Sequence, residues 1–395
     1  MADHLKRRIG LPLLIAYGVG VMVGAGIYVL VGAVAGAAGH FAPYAFLLAG
    51  LIAAPTALSY AEFSTRIPEA AGEAAYIGKG FGSEALAVLV GLAIVLAGTV
   101  SAAAVLRGGA GYLIGIADVP LIWAAIAMGL LLTGVAVIGV MESLSLAALF
   151  TAIEVIGLIL VVWAGATTDP TPAQITETAV PWAEVAPGIG AGAMLAFFAF
   201  IGFEDIVNMA EETRDPTFTM PRAILISLVI TSSLYALVVW AALRAVPPEA
   251  LAGSDQPLAL VWASATGGDA RFLSAIAVFA ALNGVLAQIV MASRVLFGLG
   301  KRSPALALFH HVHPRFGTPA LASTLIGLAV ILGAILLPVA TLAETTSAVL
   351  LAVFVLVNAA LIAVKRRGEP GPFTVPLFVP VLGLVLSAIA LIAAF

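Results

Sequence analysis

Long apolar runs, separated by proline, glycine and charged residues, follow one another along the whole chain. Eleven of them are about long enough to carry a helix across a bilayer. They cover residues 9–36, 41–64, 84–113, 120–139, 143–165, 188–212, 221–244, 270–298, 319–337, 341–364 and 376–394. Pro43, Pro68, Pro120, Pro170-Thr171-Pro172, Pro187, Pro216, Pro221, Pro247-Pro248, Pro314, Pro319 and Pro376 punctuate the pattern. The longest connections, near 166–187 and 245–269, have the length of caps on a helix bundle. The expectation is an all-α integral membrane domain over 1–395 with about 11 transmembrane helices.

Two of these runs carry an interruption. The first contains Gly18, Gly20, Gly24, Gly26 and Gly32, and each interior glycine costs a helix roughly 1 kcal/mol against alanine. Unpaired backbone at mid-membrane is tolerated only where protein buries it or it lines a cavity. A break there offers bare amides and carbonyls to a small charged solute. The sixth run reads Phe197-Phe198-Ala199-Phe200-Ile201-Gly202-Phe203-Glu204-Asp205, a glycine and two acids in an apolar stretch. Spans one and six are the first members of two five-span halves, which run in opposite directions because five is odd. Paired interruptions at matching positions are the mark of an inverted repeat with its site at the midplane. The first repeat would be 9–165, the second 188–364, and 376–394 an extra span eleven.

Composition fits this picture. Of the 395 residues, 62% are hydrophobic and 10% charged, against roughly 25% charged in a soluble domain. There is no cysteine, which excludes disulfides, thiolate metal sites and cysteine nucleophiles. The net charge of −4 says little, but its distribution says more. With a cytoplasmic N-terminus, Lys6, Arg7, Arg8, Arg66, Lys79, Arg214, Arg222, Arg294, Lys301, Arg302, Arg315, Lys365, Arg366 and Arg367 fall inside. Only Arg107, Arg244 and Arg271 fall outside or near it. The expected placement is multi-pass in the cell membrane, N-terminus in and C-terminus out. Lys6-Arg7-Arg8 before an apolar run imitates a signal peptide, but the run is too long for one, and an uncleaved first helix is expected.

Candidate chemistry is sparse. Gly24-Ala25-Gly26-Ile27 is no dinucleotide fingerprint, because position 29 is valine and no strand precedes it. Close helix packing through small residues is its bland alternative. Glu154 sits at the centre of span five, where an ionised acid costs roughly 2.5–3.5 kcal/mol on insertion scales and a functional role is the default. Glu204 and Asp205 either cap a restarting helix or, in Glu204's case, face the pathway. Arg107 is expected to snorkel. His310-His311-x-His313 lies in a basic loop, and no metal is expected there. Glu211-Glu212-x-Arg214-Asp215 reads as a solvated salt-bridge cluster. No His-Glu-x-x-His and no buried nucleophile with a base occurs, so no catalytic residue, enzyme activity or cofactor is expected. The expected partners are a small solute and the lipid bilayer, with no nucleic acid; the sequence assigns no oligomeric state.

Gly20-Val21-Met22-Val23-Gly24-Ala25-Gly26-Ile27-Tyr28 resembles the first-helix motif of the amino acid–polyamine–organocation superfamily. Phe197 to Asp205, continuing through Glu211-Glu212-Thr213-Arg214-Asp215-Pro216 to Met220-Pro221-Arg222, is similar to their sixth helix and following loop. Ala281-Leu282-Asn283-Gly284, Ser293-Arg294-Val295-Leu296 and His313-Pro314-Arg315-Phe316-Gly317-Thr318-Pro319 are similar to their eighth span and the loop after it. Members usually have twelve spans, one more than is counted here. Within the superfamily the chain resembles amino acid permeases of the cationic amino acid transporter branch.

The resemblance implies a leucine-transporter-type 5+5 inverted repeat with discontinuous helices 1 and 6. It implies amino-acid transport by a secondary active mechanism of alternating access. Spans one, two, six and seven would rock against three, four, eight and nine, with five and ten as gates. It also implies roles. The substrate carboxylate would meet amides around Gly24, Ala25, Gly26 and Ile27, at the positive end of a half-helix. The ammonium would meet carbonyls near Met22, Phe198 and Ile201 beside Gly202. Phe198 and Phe200 would supply an apolar wall, and Glu204 would attract a cationic side chain if it faced the site. Position 154 matches a lysine of proton-coupled members, set between spans one, five and eight; here an acid stands there. Glu154 would carry the proton itself, or help bind sodium beside carbonyls of Gly20 and Val23. Asn283-Gly284, where sodium-coupled relatives offer hydroxyls, favours the proton. Exchange without ion coupling, of amino acids or polyamines, is the other alternative.

Overall fold

The computed structural model describes residues 9–67, 72–139, 144–169, 181–210 and 212–393, apart from the side chains of Ala25, residues 144–147 and Asn208. Lys6-Arg7-Arg8, Pro68, Glu142-Ser143, Pro170-Thr171-Pro172 and Glu211 lie outside the described residues. The helices are α1 (Leu11–Ala38), α2 (Ala42–Arg66), α3 (Gly72–Phe81), α4 (Glu84–Leu113), α5 (Leu121–Ile138), α6 (Leu144–Ala166) and α7 (Trp182–Phe198). They continue with α8 (Pro216–Ala245), α9 (Pro248–Ala252), α10 (Pro257–Thr266), α11 (Arg271–Arg302), α12 (Ala320–Leu336), α13 (Val339–Arg366) and α14 (Phe378–Ala393). Among the described residues, 7 continuous helical stretches are long and apolar enough to cross a membrane, and α7, α12 and α14 are shorter apolar helices. The chain is a multi-pass membrane protein.

Local chemistry sets the helix ends. Proline opens α1, α2, α8, α9 and α10 within their first turn, where its missing N–H leaves no bond unmade. Gly139 and Gly267 close α5 and α10 in the left-handed conformation, at φ 84° and 67°. The Ser83 hydroxyl caps α4 by accepting from the Leu86 amide at 3.3 Å. The short α3, α9 and α10 lie in connections that hydropathy left without elements.

The long helices sort into two groups. In one, α7 and α8 each pack on both α1 and α2; in the other, α4, α5, α11 and α12 pack on one another. α6 touches α1 and α8 of the first group and α11 of the second. α13 lies along α4 and also meets α2 and α7. α14 packs on α2 and α13.

A polar seam holds α2, α13 and α14 together inside this apolar mass. Thr56, Ser59, Glu62 and Arg66 recur at helical spacing, so they share one face of α2. Asn358 of α13 donates to the Thr56 hydroxyl at 2.9 Å and accepts from Ser59 at 2.7 Å. Thr56 in turn lies 3.4 Å from the Ser387 hydroxyl of α14. Further along, the buried Glu62 carboxylate accepts from Arg66 at 2.7 Å, from Lys365 at 2.7 Å and from the Val375 amide at 2.8 Å. Nearby, Lys79 pairs with Glu369 at 2.8 Å and holds that carboxyl below its usual range. Asn358→Leu is expected to destabilise the protein by about 1–3 kcal/mol, because two buried hydroxyls lose a partner. A lower Tm in detergent, with the far-UV spectrum unchanged, would show it.

Candidate functional site at the two broken helices

The site begins with the backbone of α1. Helical dihedrals fail at Gly24 (φ 3°, ψ −158°), and the helix resumes after it. A Cβ built on Gly24 would meet nothing within 4 Å, so space opens beside the break. Two residues on, the opposite holds: a Cβ on Gly26 would stand 3.2 Å from the Ala199 Cα. Met22, Val23 and Ile27 are buried around the break.

The second break faces the first. α7 stops at Phe198, and turns carry the chain to a short 3-10 helix at Asp205–Met209. Gly202 takes φ +122°, a conformation that costs glycine little and other residues much. A Cβ there would lie 2.7 Å from the Val21 Cγ1 and 3.0 Å from the Val21 carbonyl carbon. The near contacts order the two helices: Val21 meets Gly202, Gly26 meets Ala199, and Val34 and Ala38 meet Gly192. α1 and α7 therefore run antiparallel, with both breaks at one level.

Polar groups converge on this crossing. The Tyr235 hydroxyl of α8 reaches the Met22 carbonyl at 2.6 Å and the Ala199 carbonyl at 2.9 Å. It joins the two broken segments, donating its one proton to either. The Phe198 carbonyl accepts from the Ile201 amide at 3.2 Å, and each carbonyl keeps a second lone pair. Glu204 turns back on its own segment: its Oε2 accepts from the Gly202 amide at 2.9 Å. It does not cap the 3-10 helix that starts at Asp205, which has no side-chain cap. Ile201 is half-buried. Phe198 lies against Gly26, with its Cδ1 3.9 Å from a Cβ built there. Phe200 instead faces Gly50 of α2 and the Tyr235 ring, whose centroid is 5.4 Å away.

Glu154 stands next to the breaks. Thr151 fills the notch left by Gly20, and the Tyr28 hydroxyl donates to the Glu154 carbonyl at 2.7 Å. These two contacts bracket the turn of α6 that carries Glu154 and set it opposite Gly24. Its side chain is 2% exposed, and neither carboxylate oxygen makes a hydrogen bond of good geometry. Asn283 of α11 is the side chain that approaches it. The site thus offers amides and carbonyls from two opposed chain breaks, an aromatic wall and one buried acid. Among the described residues no group of three His, Cys, Asp or Glu is placed to hold a metal ion.

A family model for amino acid permeases matches residues 9–395. The chain belongs to the amino acid permease family. It is 31% identical to the chloroplastic cationic amino acid transporter 9 of Arabidopsis thaliana, over 79% of this chain and 58% of that protein. It is 29% identical to the mitochondrial cationic amino acid transporter 3 of the same plant, over 95% of this chain and 65% of that protein. The branched-chain amino acid permease BcaP of Bacillus subtilis is 28% identical, over 92% of this chain and 82% of that protein. The chain therefore spans less than two thirds of the length of the plant transporters it matches.

Three features of the structure differ from the sequence reading or were absent from it. Arg107 has a definite partner: its guanidinium donates to the Ala334 carbonyl at 2.7 Å, at the C-terminal end of α12, where a cation is favoured. Tyr235 was missed, because a lone tyrosine in an apolar span gives no sign of what its hydroxyl reaches. So was Glu73 of α3, buried and accepting from the Tyr60 hydroxyl at 3.2 Å. Burial pushes that carboxyl up, against hydrogen bonds that pull it down. In the histidine loop, His310 packs on Phe297 and His313 stacks on Phe316.

Proposed function

We propose that this permease moves amino acids across the cell membrane by alternating access, with uptake coupled to protons through Glu154. The space at Gly24 between two opposed chain breaks carries the reading. A zwitterion needs an anion site and a cation site close together. Helix ends supply both without a buried fixed charge. On this reading the carboxylate meets the amides of Ala25, Gly26 and Ile27, and the ammonium meets carbonyls near Met22, Phe198 and Ile201. Tyr235 holds the two segments at the spacing the substrate spans.

The antiparallel crossing of α1 and α7 supports the 5+5 inverted repeat, with halves at 9–165 and 188–364. The two helix groups supply a moving bundle of α1, α2, α7 and α8 and a scaffold of α4, α5, α11 and α12. α6 touches both, as a gate would. The Lys and Arg bias supports a cytoplasmic N-terminus. A buried acid beside the substrate space, approached by Asn283, can take up a proton and change the local charge as the bundle moves.

The test is uptake into proteoliposomes of arginine, lysine, leucine and valine, at several pH values, with and without sodium. Wild-type uptake is expected to rise with an inward proton gradient and to ignore sodium. Glu154→Gln should retain substrate-induced thermal stabilisation and lose the pH dependence. Unchanged pH dependence in Glu154→Gln would overturn the coupling role. Uptake that ignores all ion gradients and needs internal substrate would replace it with exchange.

A further inference from the structure

Three hydrogen bonds run from one face of the permease to the turn that carries Glu154. α9 and α10 form a cap at one end of the bundle. The Leu251 carbonyl fits against Gly32 of α1, where any side chain would collide with it, and the Asp255 carbonyl would stand 2.9 Å from a Cβ on Gly111 of α4. The Leu258 amide, in the first turn of α10, donates to the Tyr112 hydroxyl of α4 at 3.2 Å. That hydroxyl donates onward to the Tyr28 carbonyl of α1 at 2.8 Å. The Tyr28 hydroxyl then donates to the Glu154 carbonyl at 2.7 Å. The two rings meet edge to face, 6.3 Å between centroids. All three bonds are buried, and they cross four elements.

The α6 side is shaped for the Tyr28 hydroxyl. Gly157 follows Glu154 by three residues, and a Cβ there would lie 2.7 Å from that hydroxyl. The Glu154 carbonyl belongs to an α-helical turn, so the tyrosine supplies a second bond that the helix does not need. Phenylalanine would fill the same volume without it.

We propose that Tyr28 and Tyr112 are positioning residues: they form a strut that ties the seating of the α9–α10 cap to the turn of α6 bearing Glu154. Tyr28 lies in the part of α1 beyond the break. When that segment tilts with the cap, the strut draws on or releases the Glu154 turn, so cap position and proton occupancy become linked. The strut rests on the coupling role given to Glu154 above. The Glu154 carboxyl acts on the phenols of Tyr28 in α1 and Tyr235 in α8, and Asn283 of α11 approaches it. Arg222 and Arg244 of α8 and Arg271, Arg294, Lys301 and Arg302 of α11 lie toward the ends or exposed faces of their helices. α10 carries no charged residue.

The absence of native cysteine makes a direct test possible. Leu258→Cys places a thiol in a buried position under the cap, and Ser387→Cys places one in the distant seam of α14. Labelling with a maleimide is read for each, in the wild-type, Tyr28→Phe and Tyr112→Phe backgrounds. Loss of one strut hydrogen bond is expected to speed labelling at 258 by about tenfold, with no change at 387. Gly157→Ala should reproduce the Tyr28→Phe effect by displacing the hydroxyl. In uptake assays, Tyr28→Phe should move the midpoint of the pH profile while substrate still stabilises the protein. An unchanged labelling rate at 258 in Tyr28→Phe overturns the strut, whatever Glu154 does. Equal acceleration at both cysteines also overturns it, because that reports general loosening. A Glu154→Gln variant with normal pH dependence sinks the coupling reading instead, and leaves the labelling result to decide the strut as a link to the cap alone.

Discussion

Amino-acid uptake by a Gly26→Val variant is expected to fall to background, with the protein still folded. The Cβ alone would stand 3.2 Å from the Ala199 Cα, closer than backbone atoms comfortably allow. Valine adds two methyl groups to that collision. The α1 segment after the break must then move off α7, and the amides proposed to hold the substrate carboxylate move with it. Gly24→Ala makes the contrast, since a Cβ there meets nothing within 4 Å. It should fold normally and lose affinity only by intruding on the substrate space. Thermal shift with amino acid separates the outcomes. Gly26→Val should show no ligand stabilisation, and Gly24→Ala a reduced one. Full uptake by Gly26→Val would place the carboxylate elsewhere.

The second large effect is on stability. Glu62→Gln is expected to cost about 3–5 kcal/mol, the range for removing one partner from a buried ion pair. Glu62 has no exposed side-chain surface, while Arg66 and Lys365 are 8% and 12% exposed. Both cations would be left facing an amide. The Val375 amide would also lose a charged acceptor, and with it one tie between the α13–α14 connection and α2. The measurement is Tm in detergent, together with Lys365→Met and the double variant. The double variant should be more stable than the sum of the single changes predicts, because it removes the uncompensated charge along with its partner. Additive effects would mean that Glu62 and Lys365 do not act as a pair.

Hydropathy alone located every long apolar helix, because lipid leaves a spanning segment few choices but a helix with its backbone bonds made internally. The breaks in α1 and α7 were legible for a related reason. Glycine weakens a helix wherever it stands, and acids beside Gly202 have no place in an ordinary span. Glu154 was legible because a carboxylate at mid-membrane is costly enough to need a purpose. Other features left no trace. Tyr235, Tyr28 and Tyr112 read as apolar filler until their hydroxyls are placed. Glu62 lies near a run of polar residues at a helix end, where a charge draws no notice. The direction of Glu204, back onto the Gly202 amide, left none either.

The sequence by itself determined that this chain lies in a membrane, where its long apolar helices fall, and which two of them are interrupted. Each of those depends on local composition, which a window of residues contains in full. Only the tertiary structure decided what the breaks face, that Tyr235 bridges them, and that Arg107 meets the end of α12. Those are contacts between residues tens to hundreds of positions apart. They depend on helix rotation and crossing, and an apolar helix surface encodes these through the fit of small residues such as Gly26, Gly157 and Gly202 against their partners.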